Sequence, residues 1–388
     1  MALLAFALLA AGCGNPTLAL PPPPSISPAG DRVVVSPVAG YSDRAPSPSP
    51  SAIPSPATIP AAYGVLVDLK SDPLQYTVSL VDAHGDVTQQ FSGGKRTVFN
   101  THNGQGLDMP YVSTTLTSVY FLDVDSLLVR GRPDGQRTKV RDLGVPSGSE
   151  AAFAVSPDDR QIAVTLLDFT TYPVHLTLYT DALTGGHKKV IYQSTSNYVW
   201  PVAWHGGLLV LAHAAGPFDE DIRKAAPARE NPYGAISYHL VDPTNANRKV
   251  LMGACTVSGP LSPAGSACIQ GGVIDWHGND PGPWSTSDWG QRSSAAAVSP
   301  SGQWVAAADP NHPGDMAIWR RDGTIANHAA GTGNLYDSAG WLDDQTLIVG
   351  SFFDGNWQPT IENVIRGGYV YAVPAHGFYA ARLPTDIG

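Results

Sequence analysis

One pattern recurs from about residue 62 to the end of this chain: a short apolar strand, a tight turn and a second apolar strand. Six copies align: YFLDVDSLLVR (120 to 130), AVSPDDRQIAV (154 to 164), VAWHGGLLVLA (202 to 212), PLSPAGSACIQ (260 to 270), AVSPSGQWVAA (297 to 307) and AGWLDDQTLIV (339 to 349). The last apolar residues before the turns are Phe121, Val155, Trp204, Leu261, Val298 and Trp341, at spacings of 34, 49, 57, 37 and 43 residues with a mean of 44. A period of about 40 to 45 residues, room for four short strands, is the spacing of propeller blades. The expected fold class is therefore all-β, a β-propeller of four-stranded antiparallel sheets.

The outer two strands of the units read as hairpins at 175 to 192, 235 to 252, 316 to 329 and 369 to 383, with Gly, Asn and Asp at the bends where positive φ is needed. A further hairpin, YTVSLVDAHGDVTQQF, spans 76 to 91. Counting it as a blade gives seven, the preferred number; treating it as strands that complete the ring gives six. Composition agrees, since only 14% of residues are charged while Gly and Pro number 40 and 34. Such a chain favours turns over long charged helices.

Ala154-Val155, the run Ser156 to Arg160 and Ile162-Ala163 together resemble the S-P-D-G-[RK]-x-[IL]-A signature of TolB-like and WD-type propeller repeats. Ser262 to Gly265 and Ser299 to Gly302 are weaker copies. The resemblance covers residues 62 to 388 as architecture and implies a propeller, a fold that hosts many unrelated tasks. Trp204 and Trp341 stand where Val155 and Val298 stand in their copies, so they are expected to pack between blades; His205, in the turn that follows, is expected in solvent.

The N-terminus reads as an address. Residues 1 to 12 (MALLAFALLAAG) are apolar and uncharged, too short to span a bilayer permanently and suited to the core of a signal peptide. Leu9-Ala10-Ala11-Gly12-Cys13 resembles the bacterial lipobox, which implies lipidation of Cys13; the alternative is an ordinary signal cut after Gly12. Residues 14 to 60 hold 13 of the 34 prolines. Such a segment cannot form a core, and extended polyproline of that length reaches on the order of 100 Å. The expected organisation is a signal peptide at 1–12, a Pro/Ser-rich linker at 13–61 and a propeller at 62–388. It places a monomer in the cell envelope, held by lipid to the outer side of the cytoplasmic membrane, or else secreted.

Two cysteines remain, Cys255 and Cys268. In a regular hairpin about the turn 262 to 265, Cys268 faces Gly259, and Cys255 then lies about 13 Å further along its strand. A disulfide requires the chain before Thr256 to bend back. Bridge and two small buried residues both stay open.

Function is marked mostly by what is missing. The net charge of -10 suits no nucleic-acid backbone. No G-x-S-x-G elbow, H-E-x-x-H, C-x-x-C or EF-hand loop occurs, so no cofactor or metal is expected. Loop length is the informative asymmetry. If strands a to d run outward, the a-b and c-d turns share one face and are short, as at 157 to 159, 205 to 207, 321 to 323 and 375 to 377. The b-c and d-a connections share the other face and carry the expected insertions 92–117, 166–174, 213–234, 271–292, 309–315 and 351–368. Aromatic rings beside carboxylates and Arg sit in these insertions: Phe218, Asp219, Asp221 and Arg223; Trp276, His277, Asp280, Trp284 and Trp289; Asp354 and Trp357. Rings supply area and polar groups supply direction, which suits a protein, peptide or glycan partner. A non-enzymatic binding module is the preferred function. The alternative is a hydrolase or lyase acting on carbohydrate or peptide, with Asp221, Asp280 or Asp354 as acid or base.

Overall fold

The computed structural model describes residues 62–385 apart from 70, 95–109, 172, 214–234, 254–256, 269–271, 280–295, 310–315, 330–336, 352–357 and 366–369. Among the described residues every element is a strand, and the strands form seven antiparallel sheets. Blade 1 holds β1 (Tyr63–Asp68), β2 (Gln75–Val81) and β3 (Val87–Gly94), with β27 (Phe378–Leu383) as its innermost strand. Blade 2 is β4 (Val112–Thr114), β5 (Val119–Asp123), β6 (Leu127–Gly131) and β7 (Arg137–Asp142); blade 3 is β8 (Ser149–Val155), β9 (Gln161–Asp168), β10 (His175–Ala182) and β11 (Lys189–Ser194). Blade 4 is β12 (Val199–His205), β13 (Leu208–His213), β14 (Ser237–Val241) and β15 (Arg248–Met252). Blade 5 shows three strands among the described residues, β16 (Val257–Ser262), β17 (Gly265–Cys268) and β18 (Val273–Ile274). Blade 6 is β19 (Ala297–Val298), β20 (Trp304–Ala308), β21 (Met316–Arg320) and β22 (Ile325–Ala329). Blade 7 is β23 (Asp337–Trp341), β24 (Thr346–Ser351), β25 (Thr360–Asn363) and β26 (Val370–Ala372).

Seven is thus the blade number, and the hairpin at 76 to 91 supplies the outer strands of blade 1. The ring closes through the pairing of β27 with β1, from Tyr63↔Leu383 to Val67↔Phe378. This overturns the reading of 369 to 383 as one outer hairpin: β26 ends blade 7, β27 begins blade 1, and Ala375 to Gly377 is a d-a connection. The copy at 120 to 130 is also out of phase, being the b-c hairpin β5–β6. The counterpart of Val155 in blade 2 is Thr114, whose turn closes with Thr115 N–H donating to Ser118 O, as Ser156 N–H donates to Gln161 O. The spacing from Thr114 to Val155 is 41 residues, close to the mean period.

The signature turn has a physical basis. Ser156 Oγ accepts from the backbone N–H of Arg160 and Gln161 at 3.3 and 2.9 Å and donates to Asp158 Oδ1 at 2.7 Å. The fourth residue of the turn must take positive φ. Gly302 does so at φ 70, and Asp159 does so at φ 59 in place of the usual glycine. Its carboxylate accepts from Thr117 Oγ1 at 3.1 Å and Tyr120 Oη at 3.0 Å of the preceding blade, which offsets the left-handed backbone.

Blades pack through their tryptophans as expected. Trp204 and Trp341 are 5% and 4% exposed, and each indole N–H donates to the inner strand of the blade before it, to Ala154 O at 3.2 Å and Ala297 O at 2.9 Å. Each bond satisfies a carbonyl that would cost about 1–3 kcal/mol if buried without a partner. At the closure the inner strands approach so tightly that a Cβ on Gly340 of β23 would lie 1.9 Å from the Tyr379 ring of β27.

Cys268 takes part in a disulfide. Cys255, the partner in the bridged alternative, lies outside the described residues. The hairpin β16–β17 is not regular: a register shift between Ser258 and Ser262 sets Cys268 opposite Val257 rather than Gly259. Counted in residues, Cys255 then stands two positions rather than four beyond the residue opposite Cys268, which reduces the separation that a regular hairpin would impose.

Candidate functional site

The a-b and c-d turns are two to six residues long, and several of their carboxylates bond to their own backbone, while Asp159 and Asp344 reach a neighbouring blade. Asp82 Oδ1 accepts from the N–H of His84 and Asp86, Asp275 Oδ1 from His277 and Asn279, and Asp343 Oδ1 from Gln345 and Thr346, all at 2.7 to 3.0 Å. These are Asx turns, the local chemistry that stiffens a tight bend. Hydrogen bonds from Asn279 and His277 hold the Asp275 carboxyl below the usual range against the opposing pull of burial. At this end the inner strands line an opening of about 600 Å³, solvent included, among Ser113, Thr114, Trp204, Tyr379 and Thr385. Arg382 also lines it and closes the ring, its Nε donating to Leu342 O at 2.6 Å.

Trp276 and His277 belong to this face, which corrects their assignment to a long b-c insertion. The b-c connection of blade 5 runs only from β17 to β18, and 275 to 279 is the turn after the c strand, with Gly278 N–H donating to Asp275 O. Trp276 is 6% exposed; its indole N–H donates to Ser262 O and Pro263 O at 3.0 Å, and its ring stacks on His205 at 4.2 Å. It is a packing residue, and His205 is half-buried under it rather than in solvent. His277 is exposed at the turn. Likewise β9 extends through Asp168, which shortens the expected 166–174 insertion to six residues.

The opposite face keeps the long connections: 23 residues between β13 and β14, 17 between β3 and β4, and eight between β24 and β25. Phe218, Asp219, Asp221, Arg223, Asp280, Trp284, Trp289, Asp354 and Trp357 lie outside the described residues. What is described are the strand ends on which the connections stand, and two polar groupings occupy them. At the end of β20, Asp309, its side chain fully buried, pairs with Nδ1 of the half-exposed His328 at 2.7 Å across β21. Where β13 ends and β14 begins, His213, Ser237 and His239 share one face of blade 4 because Ser237 pairs directly with His213 and precedes His239 by two. Ser237 Oγ lies 3.5 Å from His213 Nδ1 and 3.2 Å from His239 Nε2, and the two rings are 5.0 Å apart. Burial lowers the His239 pKa to about 4, helped by His213 and Arg248, and burial with Arg248 lowers that of His213. Both shifts favour the neutral imidazole. Sequence reasoning passed over these five residues, although the Ser-x-His spacing on an alternating strand marks a shared face.

No family model and no curated protein matches this sequence. Among solved structures the chain is similar to the Myceliophteria thermophila Cps50 (Swd1) β-propeller domain, at 12% identity and TM-score 0.45, over 75% of this chain and 97% of that one. It is also similar to a chain of the mitotic checkpoint complex, at 14% and 0.44 over 73% and 86%. A third likeness is to an oligogalacturonate lyase in complex with manganese, at 11% and 0.36 over 82% and 85%.

Proposed function

We propose that this chain is an exported interaction module, tethered through a lipid on Cys13 and the Pro-rich linker, that presents its long-connection face to a protein, peptide or glycan. The observation that carries the reading is the difference between the two ends of the ring. Turns of two to six residues hold one end, with carboxylates bonded to their own backbone. Connections of up to 23 residues rise from the other. A closed ring of packed blades is a rigid base on which such connections carry recognition at little cost to the fold. The TolB-like kinship proposed for the scaffold is supported by the signature turn at Ser156 to Arg160 and says nothing of the partner.

Two measurements test the reading. Intact mass of membrane-extracted protein should show a diacylglyceryl group on Cys13; a soluble mature chain with an unmodified N-terminus overturns the anchor. Partners captured on the exported domain should be lost when Trp284 and Trp357 are both replaced by Ala, with the melting temperature unchanged. Normal capture by that variant overturns the face, and turnover of a glycan or peptide abolished by Asp221→Asn or Asp354→Asn replaces binding with catalysis.

A further inference from the structure

We infer that His213 and His239 form a binding site for a borderline divalent cation, Zn²⁺ or Cu²⁺, at the foot of the connection between β13 and β14. The inference is independent of the partner proposed above and rests on where two imidazole nitrogens point. His213 Nδ1 and His239 Nε2 converge on one oxygen, Ser237 Oγ, at 3.5 and 3.2 Å. They come from adjacent strands whose register is fixed by five consecutive pairs, Leu209↔Val241 to His213↔Ser237, so their convergence is built into the sheet.

The separation of the rings suits a shared metal. A Zn–N bond is about 2.1 Å, and an imidazole nitrogen lies about 1.1 Å from its ring centroid, so two histidines at a tetrahedral angle place their centroids about 5.2 Å apart. The observed separation is 5.0 Å. Imidazole binds metal through the nitrogen that carries no proton, and Nδ1 of His213 and Nε2 of His239 are the nitrogens that face Ser237 Oγ. Nitrogen donors select the zinc and copper end of the divalent series over magnesium or calcium. The Ser237 hydroxyl stands beside the cation position as a weak third ligand, and water completes the shell. Arg248, exposed at the start of β15, opposes a cation here, so the site binds weakly by the standard of closed structural sites.

The test uses the full chain after treatment with a chelator. Titration with Zn²⁺ at pH 7.5 should show one equivalent bound with a dissociation constant below about 1 mM. His213→Ala and His239→Ala should each weaken it at least about tenfold, while His84→Ala, in a turn of blade 1, should leave it unchanged. The electron paramagnetic resonance spectrum of the Cu²⁺-loaded wild type should show two equatorial nitrogens, a readout that requires no variant to fold. Zinc uptake that is absent, uptake equal in wild type and both site variants, or a copper spectrum with fewer than two nitrogens overturns the proposal.

Discussion

The two ends of the ring are built from the same strands yet differ in the length of their connections and in what the polar residues at their feet hold. At the short-turn end, Asp82, Asp275 and Asp343 are consumed by backbone N–H groups two to four residues ahead. At the other end Asp168 caps Thr170 in the same fashion, at 2.9 Å to its N–H. Other polar groups there bond across strands instead, as Asp309 does with His328 and as Ser237 does between two histidines. Length alone does not separate the two uses: Asp168 and Asp309 stand at the starts of connections of six and seven residues, and Asp159, in a five-residue turn, bonds to the preceding blade.

The largest effect should come at the closure, which both ends depend on. Gly340→Ala forces a Cβ to within 1.9 Å of the Tyr379 ring where β23 faces β27. Overpacking at a site with no room should cost more than about 3 kcal/mol, and thermal melting should show loss of the cooperative transition. A melting temperature within a few degrees of wild type would mean that β27 can move without opening the ring. Next in size is the contrast between two tryptophans. Trp276→Ala removes a ring 6% exposed together with its bonds to Ser262 O and Pro263 O and should cost about 3 kcal/mol. Trp357→Ala, in the connection between β24 and β25, should change stability by less than about 0.5 kcal/mol while removing the proposed partner binding. Equal losses of stability would erase the distinction between the faces. The bond at Cys268 comes third: Cys268→Ala, or reduction, should lower stability by about 2 kcal/mol in denaturant titrations.

Local turn chemistry made most of the fold legible. Ser156 to Arg160 and Ser299 to Gly302 mark a-b turns because Ser Oγ, Asp and a left-handed residue act within five positions of one another. The same logic would have placed Trp276: Asp275-Trp276-His277-Gly278-Asn279 has the spacing of Asp82-Ala83-His84-Gly85-Asp86, and both are c-d turns closed by glycine N–H to the leading aspartate. What stayed hidden was non-local. The innermost strand of blade 2 is three residues long and follows a 17-residue connection, so the tighter β5–β6 hairpin took its place in the alignment. The pairing of β27 with β1 joins positions more than 300 residues apart, and no window of sequence carries it. The histidine pair depends on register across a 23-residue connection, which a motif search cannot supply.

The smallest expected effect concerns that pair. His239 titrates near 6.5 in the unfolded chain and near 4 in the folded one, because burial first and then the neighbouring His213 and Arg248 disfavour its charged form. Between these values the unfolded state binds more protons, so stability is unaffected above about pH 6.5, declines as pH falls toward 4, and levels off below. His213 adds to the decline in the same direction. The side chains are partly exposed, so solvent screening keeps the change modest beside the closure and tryptophan effects. Denaturant midpoints measured in chelating buffer from pH 7.5 to 4 should fall less steeply in His239→Gln than in wild type. Parallel slopes would show that both imidazoles protonate in the folded chain without loss of stability.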